Sequence, residues 1–199
     1  MAVLGCDANR TRLRPGPVIA CIVVVGLVAG DPCLAADPQR LADEYQVKAA
    51  FIFNFIKFVD WPSGVFQSPA DPFVICVVGS DPFGHSLEDT VANHVVGGRM
   101  LSVRHISGLT QVAGCHVLFV GLPADVQHAV ALAGLASPGI LTIGDSGESA
   151  AAGAMIRFRL DGGKVRFEID AGAAERMGLR ISSRLLNLAV VPDQGRRRP

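Results

Sequence analysis

The sequence has little that would carry catalytic, metal or nucleic-acid chemistry. Its five histidines, at positions 85, 94, 105, 116 and 128, fall on separate segments. They form neither an H-E-x-x-H motif nor a Cys/His zinc spacing. No G-x-S-x-G elbow is present, and no nucleophile has an evident base beside it. Net charge is lacking too: 18 basic residues balance 18 acidic ones. With no basic stripe inside the domain, nucleic acid is excluded as the main partner. The run Arg196-Arg197-Arg198 ends the chain beside Pro199 and reads as a solvated tail. No fixed-period repeat or low-complexity segment occurs. These absences point to no catalytic residue, no metal and no cofactor.

Apolar sequence, by contrast, is abundant. Half of the 199 residues are hydrophobic, enough for one well-buried domain and too few for two comfortable ones. The N-terminus has the pattern of a secretory signal: Arg10, Arg12 and Arg14, then apolar sequence from Val18 to Ala29, then small residues at Ala35 and Ala36. An apolar core of about 12 residues is short for a transmembrane span, which needs roughly 20; an uncleaved anchor is the competing reading. Val18-Ile19-Ala20-Cys21 loosely resembles a lipoprotein box, but the apolar run continues past Cys21, where such a box would finish it. The expected division is therefore a signal peptide over 1–36, one domain over 37–191 and a flexible basic tail over 192–199. Removing the signal takes Cys6, Cys21 and Cys33 and leaves Cys76 and Cys115. In an exported chain this even set reads as one disulfide. The bridge would close a loop of about 40 residues, worth roughly 4 kcal/mol in the chain-entropy model. Two buried free thiols are the alternative.

The stretch from Val47 to Pro62 organises the rest. It holds Phe51, Phe53, Phe55 and Phe58 and the only Trp, with the only Tyr just ahead at Tyr45. On a helical wheel Val47, Phe51, Ile52, Phe55, Ile56, Phe58 and Val59 share one broad face, with Gln46, Asn54, Lys57 and Asp60 opposite. The spacing predicts a helix that Trp61-Pro62 ends. Lys48 falls on the apolar side, where its stem would cover apolar surface while its ammonium stays in water. Phe53 falls on the polar side. It is expected to pack beneath another element or a dimer mate, or else to be an exposed aromatic anchor for a different protein.

Beyond a Pro- and Gly-punctuated loop, strands are expected at Phe73–Gly79, Arg99–Ile106, Cys115–Gly121 and Gly139–Gly144. A helix starting at Ser80-Asp81-Pro82 and running to about His94 follows the first strand. A second is expected over Pro123–Ala136, and a short helix or turn over Asp145–Gly153. Met155–Leu160 and Lys164–Ile169 flank Asp161-Gly162-Gly163, a hairpin signal. Asp170 can cap a helix ending near Gly178, and Ser182 or Ser183 a last one. Alternating strands and helices predict a single α/β domain: a mainly parallel sheet flanked by helices, plus a C-terminal antiparallel β-hairpin.

Gly79-Ser-Asp-Pro-Phe-Gly84 lies where a phosphate loop would, but it lacks the G-x-G-x-x-G glycines and no Lys-Ser/Thr pair follows it. It could still face a crevice at the carboxyl ends of the strands. Arg166 and Glu168 alternate with Val165, Phe167 and Ile169. They form either a solvated strand face or a polar patch open to a partner.

Seven segments, in order across nearly the whole mature chain, resemble the YfiR family of small exported bacterial proteins. They are Val47 to Pro62, Ile75-Cys-Val-Val-Gly-Ser-Asp-Pro-Phe-Gly84, Cys115-His-Val-Leu-Phe-Val120 and Ile140-Leu-Thr-Ile-Gly-Asp145. The others are Met155-Ile-Arg-Phe158, Val165-Arg-Phe-Glu-Ile-Asp170 and Gly178-Leu-Arg-Ile-Ser-Ser-Arg-Leu-Leu-Asn-Leu-Ala189. The resemblance implies a periplasmic α/β protein, often a homodimer, with no known catalytic activity. It implies a repressor that restrains an inner-membrane diguanylate cyclase by binding the enzyme's periplasmic sensor domain, and that an OmpA-like outer-membrane lipoprotein can sequester. Cys76 and Cys115 match the family's disulfide positions. A second pair found in some relatives is missing here, which calls into question redox control through two bridges.

The expected function is thus a non-enzymatic periplasmic regulator of cyclic di-GMP synthesis, with Phe53, Arg166 and Glu168 as candidate partner contacts. The competing reading is a periplasmic small-molecule binding module feeding another sensor system, with its site near Ser80-Asp81.

Overall fold

The computed structural model describes residues 38–121, 138–145 and 153–190. The chain separates into units 1–35 and 36–199, and the described residues all belong to the second. The helix expected over Pro123–Ala136, most of the turn expected over Asp145–Gly153, and the segments expected to be a signal peptide and a basic tail lie outside the described residues.

Helix α1 spans Pro38–Lys57. Tyr45, Lys48, Ala49, Ile52, Phe55 and Ile56 are its buried residues, at the i, i+3, i+4 spacing that places them on one face. The helix begins two turns before the stretch that predicts it, because those turns are polar and exposed. It also stops earlier, at Lys57. The next residues join a two-stranded antiparallel ribbon: β1 (Val59–Asp60) pairs with β9 (Arg180–Ile181), and the Ser182 N–H donates to the Phe58 carbonyl at 2.9 Å. Trp61-Pro62 therefore follows a strand.

The main sheet has seven strands: β2 (Phe73–Val78), β3 (Val95–Val96), β4 (Arg99–Ile106), β5 (Val117–Val120), β6 (Leu141–Gly144), β7 (Ile156–Asp161) and β8 (Lys164–Ile169). Their spatial order is β3-β4-β2-β5-β6-β7-β8. The pairs β4/β2, β2/β5, β5/β6 and β6/β7 are parallel, while β3 and β8 close the two edges antiparallel. The α/β class and the mostly parallel sheet are as the alternation predicts. Apart from α1, the helices among the described residues are shorter than expected. Helix α2 spans only Ser86–Val91, because Asp81 folds back to accept the Phe83 N–H at 2.9 Å instead of capping a helix. The segment before Gly97-Gly98 is strand β3, whose turn uses positive φ at both glycines, 59° and 80°. Gly162-Gly163, with φ 56° and 76°, turns β7 into β8 by the same two-residue geometry.

Helix α3 (Ala171–Arg176) starts where Asp170 accepts the Ala173 N–H at 2.8 Å. Ser182 precedes α4 (Ser183–Leu186) without a side-chain capping bond. The sheet buries both faces. One packs Phe73, Ile75, Val117, Phe119, Leu141, Ile143, Ile156, Phe158 and Phe167 in the same core as α1. The other holds Cys76, Val78, Leu118 and Val120.

His116 anchors the loop that leads into β2. Its Nδ1 accepts the Val74 N–H at 3.0 Å, and its ring stacks on Phe66 at 4.4 Å. Arg99 lies over the other ring of this stack, 3.8 Å from the Phe66 centroid, and donates to the carbonyls of Ser68, Pro69 and Asp71. Burial first, then the Arg99 charge, lowers the His116 pKa below its ordinary 6.5. The unfolded chain then binds the proton more readily. The stability contribution is complete above pH 6.5 and is lost as pH falls toward the lowered folded value. We expect the urea midpoint to drop between pH 7.5 and 5.5 with a slope of at most about 1.4 kcal/mol per pH unit from this group. A His116→Gln variant should show a flatter profile over the same window; an equal slope would refute the assignment.

Candidate functional site

The expected disulfide is present. Cys76 lies in the middle of β2 and Cys115 two residues before β5, with Cα atoms 5.8 Å apart, inside the usual range for a bridge. Both sulfurs are buried on the sheet face away from α1. Arg104, the β4 residue paired with Cys76, lies across them: its Nη2 is 3.1 Å from Cys115 Sγ and 3.5 Å from Cys76 Sγ. The Ala113 carbonyl holds the same nitrogen at 2.7 Å.

The three candidate contact residues do not converge. Phe53 is half-buried on α1, with its ring against His94 at 4.7 Å and Lys57 Nζ 5.1 Å from its centroid. It packs beneath the turn that leads into β3, one edge of the sheet. Arg166 and Glu168 lie on β8, the opposite edge. Arg166 is exposed as expected, but Glu168 is not part of a solvated face. Only 7% of it is accessible. It is paired with Arg157 across the ladder, with 3.1 Å between Oε2 and Nη2, and its Oε1 accepts from Arg159 Nη1. Alternation places Glu168 on the outer face correctly; the two arginines that cover it come from the other strand of the hairpin.

A larger correction concerns Lys48. Its ammonium does not reach water: the residue is fully buried. Lys48 Nζ contacts Asp145 Oδ1 and Glu44 Oε1, both at 2.5 Å, and Tyr45 donates its hydroxyl to Asp145 Oδ2. Asp145 follows β6 directly, so the cluster clamps α1 onto the carboxyl end of that strand. Burial, and then the hydrogen bond to Asp145, raise the Tyr45 pKa far above its ordinary value. The phenol stays protonated and donating. The available sequence signals were a lysine on an apolar helix face and a carboxylate ending an apolar strand.

Near Ser80-Asp81, where a crevice is expected, the described residues pack closely. The sheet order reverses between β2 and β5, where an open α/β sheet usually binds ligands. Here Gly121 leaves no room: a Cβ on it would lie 1.8 Å from the Ser80 carbonyl oxygen. Phe83 closes the space beside them against Phe119 and Tyr45, at 4.7 and 5.5 Å. Asp81 spends its second oxygen on His105 Nε2, 2.8 Å away. Among the described residues no cluster of three or more His, Cys, Asp or Glu side chains could hold a metal ion.

The family model described as YfiR/HmsC-like matches residues 45–190. This span takes in α1 from Tyr45, the whole sheet, the disulfide and the hairpin, and is well over half of the chain. The chain belongs to the YfiR/HmsC-like family.

Proposed function

We propose that this member of the family is a non-enzymatic periplasmic regulator that binds the periplasmic sensor domain of an inner-membrane diguanylate cyclase and represses cyclic di-GMP synthesis. The observation that carries this reading is the family match over residues 45–190. The Cys76–Cys115 bridge supports an oxidising compartment. A folded domain in the periplasm has no access to cytoplasmic nucleotides. It can change cyclase output only by binding one state of a membrane partner more tightly than the other. Homodimerisation, and sequestration by an OmpA-like lipoprotein, belong to the same proposal.

Within it, Phe53 and Arg166 are contact residues and Glu168 acts through the arginines it holds. The close approach of Gly121 to Ser80 at the strand reversal weighs against the alternative of a small-molecule module. The test is cellular cyclic di-GMP in a clean deletion strain, the wild type and a complemented strain. Deletion should raise the level and complementation should restore it. An unchanged level across growth conditions would overturn the proposal.

A further inference from the structure

The outer face of the β7–β8 hairpin carries more basic than acidic side chains: Arg157, Arg159, Lys164 and Arg166 against Asp161 and Glu168. On it the register sets Arg157 opposite Glu168, Arg159 opposite Arg166 and Asp161 opposite Lys164. Arg159 and Arg166 are thus like charges directly across an antiparallel ladder, an arrangement that destabilises a hairpin. Glu168 contacts Arg157 and Arg159 and not Arg166. Among the described residues Arg166 meets no carboxylate. Burying Glu168 costs desolvation, and in return it holds two guanidinium planes whose side chains remain 35% and 50% exposed. The arrangement is poor for stability and suited to receiving an anion.

We infer that this face docks an extended acidic segment of a protein partner, with carboxylates at alternate positions meeting Arg157 and Arg159 and with Arg166 alongside. Residues two apart on a strand are about 7 Å apart, and the spacing is the same in an extended ligand, so alternate carboxylates fall in step with the two arginines. Guanidinium forks pair with carboxylates bidentately. A second copy of this chain is the wrong occupant, since two such faces would set arginine against arginine. An anionic bilayer attracts any loose cluster of cations and has no need of a buried glutamate to fix their planes. The inference rests on the regulator reading: the acidic segment would belong to the sensor domain. Glu168 becomes a positioning residue, and Arg157, Arg159 and Arg166 the contacts.

The probe is a fluorescently labelled, end-blocked heptapeptide of alternating threonine and glutamate, titrated into the folded, oxidised protein at low and moderate salt. We expect binding that weakens with salt and is absent for the same peptide with glutamine in place of glutamate. Arg166→Gln, with an unchanged melting temperature, and Arg157→Gln, titrated below its own lowered melting transition because it takes a partner from the buried Glu168, should each weaken it about tenfold. Lys57→Gln, which removes an exposed cation at the other edge, should leave it unchanged. The inference is overturned if Arg166→Gln binds as the wild type does or if Lys57→Gln weakens binding equally. It is also overturned if the arginine variants lose binding to phosphatidylglycerol vesicles but not to the peptide. In cells, Arg166→Glu at wild-type abundance should raise cyclic di-GMP as deletion does. A deletion without effect would refute the regulator reading and leave the peptide result standing. A deletion with effect, but a silent Arg166→Glu, would refute the docking face alone.

Discussion

Lys48→Met should lower the unfolding free energy by about 3–5 kcal/mol, the usual cost of removing one partner from a buried ion pair. Methionine keeps the length and apolar volume of the stem, so the loss reports the charge. Lys48 is fully buried, and its removal takes away the ammonium that contacts both Glu44 and the Asp145 carboxylate, which is only 1% exposed. The Tyr45 hydroxyl still donates to Asp145 but brings no positive charge. A domain of this size has about 5–15 kcal/mol in all, so the urea midpoint should fall by roughly a fifth or more at unchanged m-value. The quadruple variant Lys48→Met, Asp145→Leu, Tyr45→Phe, Glu44→Gln should recover much of the loss, because it leaves neither carboxylate that Lys48 contacts and no orphaned Tyr45 hydroxyl. A Lys48→Met loss below about 1 kcal/mol would mean that the ammonium escapes to water by the snorkelling its position on the helix first suggests.

That contrast shows where local pattern stops being informative. Strands β2 and β5 are continuous apolar runs bounded by turn residues. They are legible because a strand buried on both faces needs such a run. The β7–β8 hairpin and the Asp170 cap are legible for a similar reason: two consecutive glycines, and one carboxylate before a helix, each meet a local steric or hydrogen-bonding need. The β1–β9 ribbon is not. Its pairing of Val59 with Ile181 joins residues far apart in sequence through two-residue strands that carry no period. Strand β3 hides likewise, since Val95-Val96 reads equally well as the end of a helix. Lys48 and Glu168 were misread for one shared reason. A charge on an apolar face or an alternating strand looks solvated until its partner is known, and Asp145, Arg157 and Arg159 all come from other segments of the chain. Phe53 escaped this problem, because burial beneath a neighbouring turn needs no partner of a particular chemistry.

Removing the disulfide should cost about 4 kcal/mol, as the chain-entropy model gives for a loop of this length. The sequence separation of the two cysteines is 39, and the loop they close contains α2, β3 and β4. The preferred variant is Cys76→Ala with Cys115→Ala, since serine would bury a hydroxyl at position 76, where the residue is fully inaccessible. Two readouts separate the causes. If the bridge acts by restraining the unfolded chain, its removal lets that chain expand. The m-value should then rise while the midpoint falls. If the loss comes instead from the small cavities left by the sulfurs, m should stay constant and the cost should be nearer the lower end of large-to-small substitutions. Arg104 supplies a control. Arg104→Ala removes the guanidinium over both sulfurs and its bond to Ala113 but leaves the covalent link, so m should not change and the loss should stay near 1 kcal/mol. Strands β2 and β5 keep their own ladder in the unbridged protein. Its hydrogen-exchange protection should therefore fall most from α2 to β4, within the released loop. A uniform fall across the sheet would show that the bridge stabilises the whole cooperative unit and does not specifically hold that segment in place.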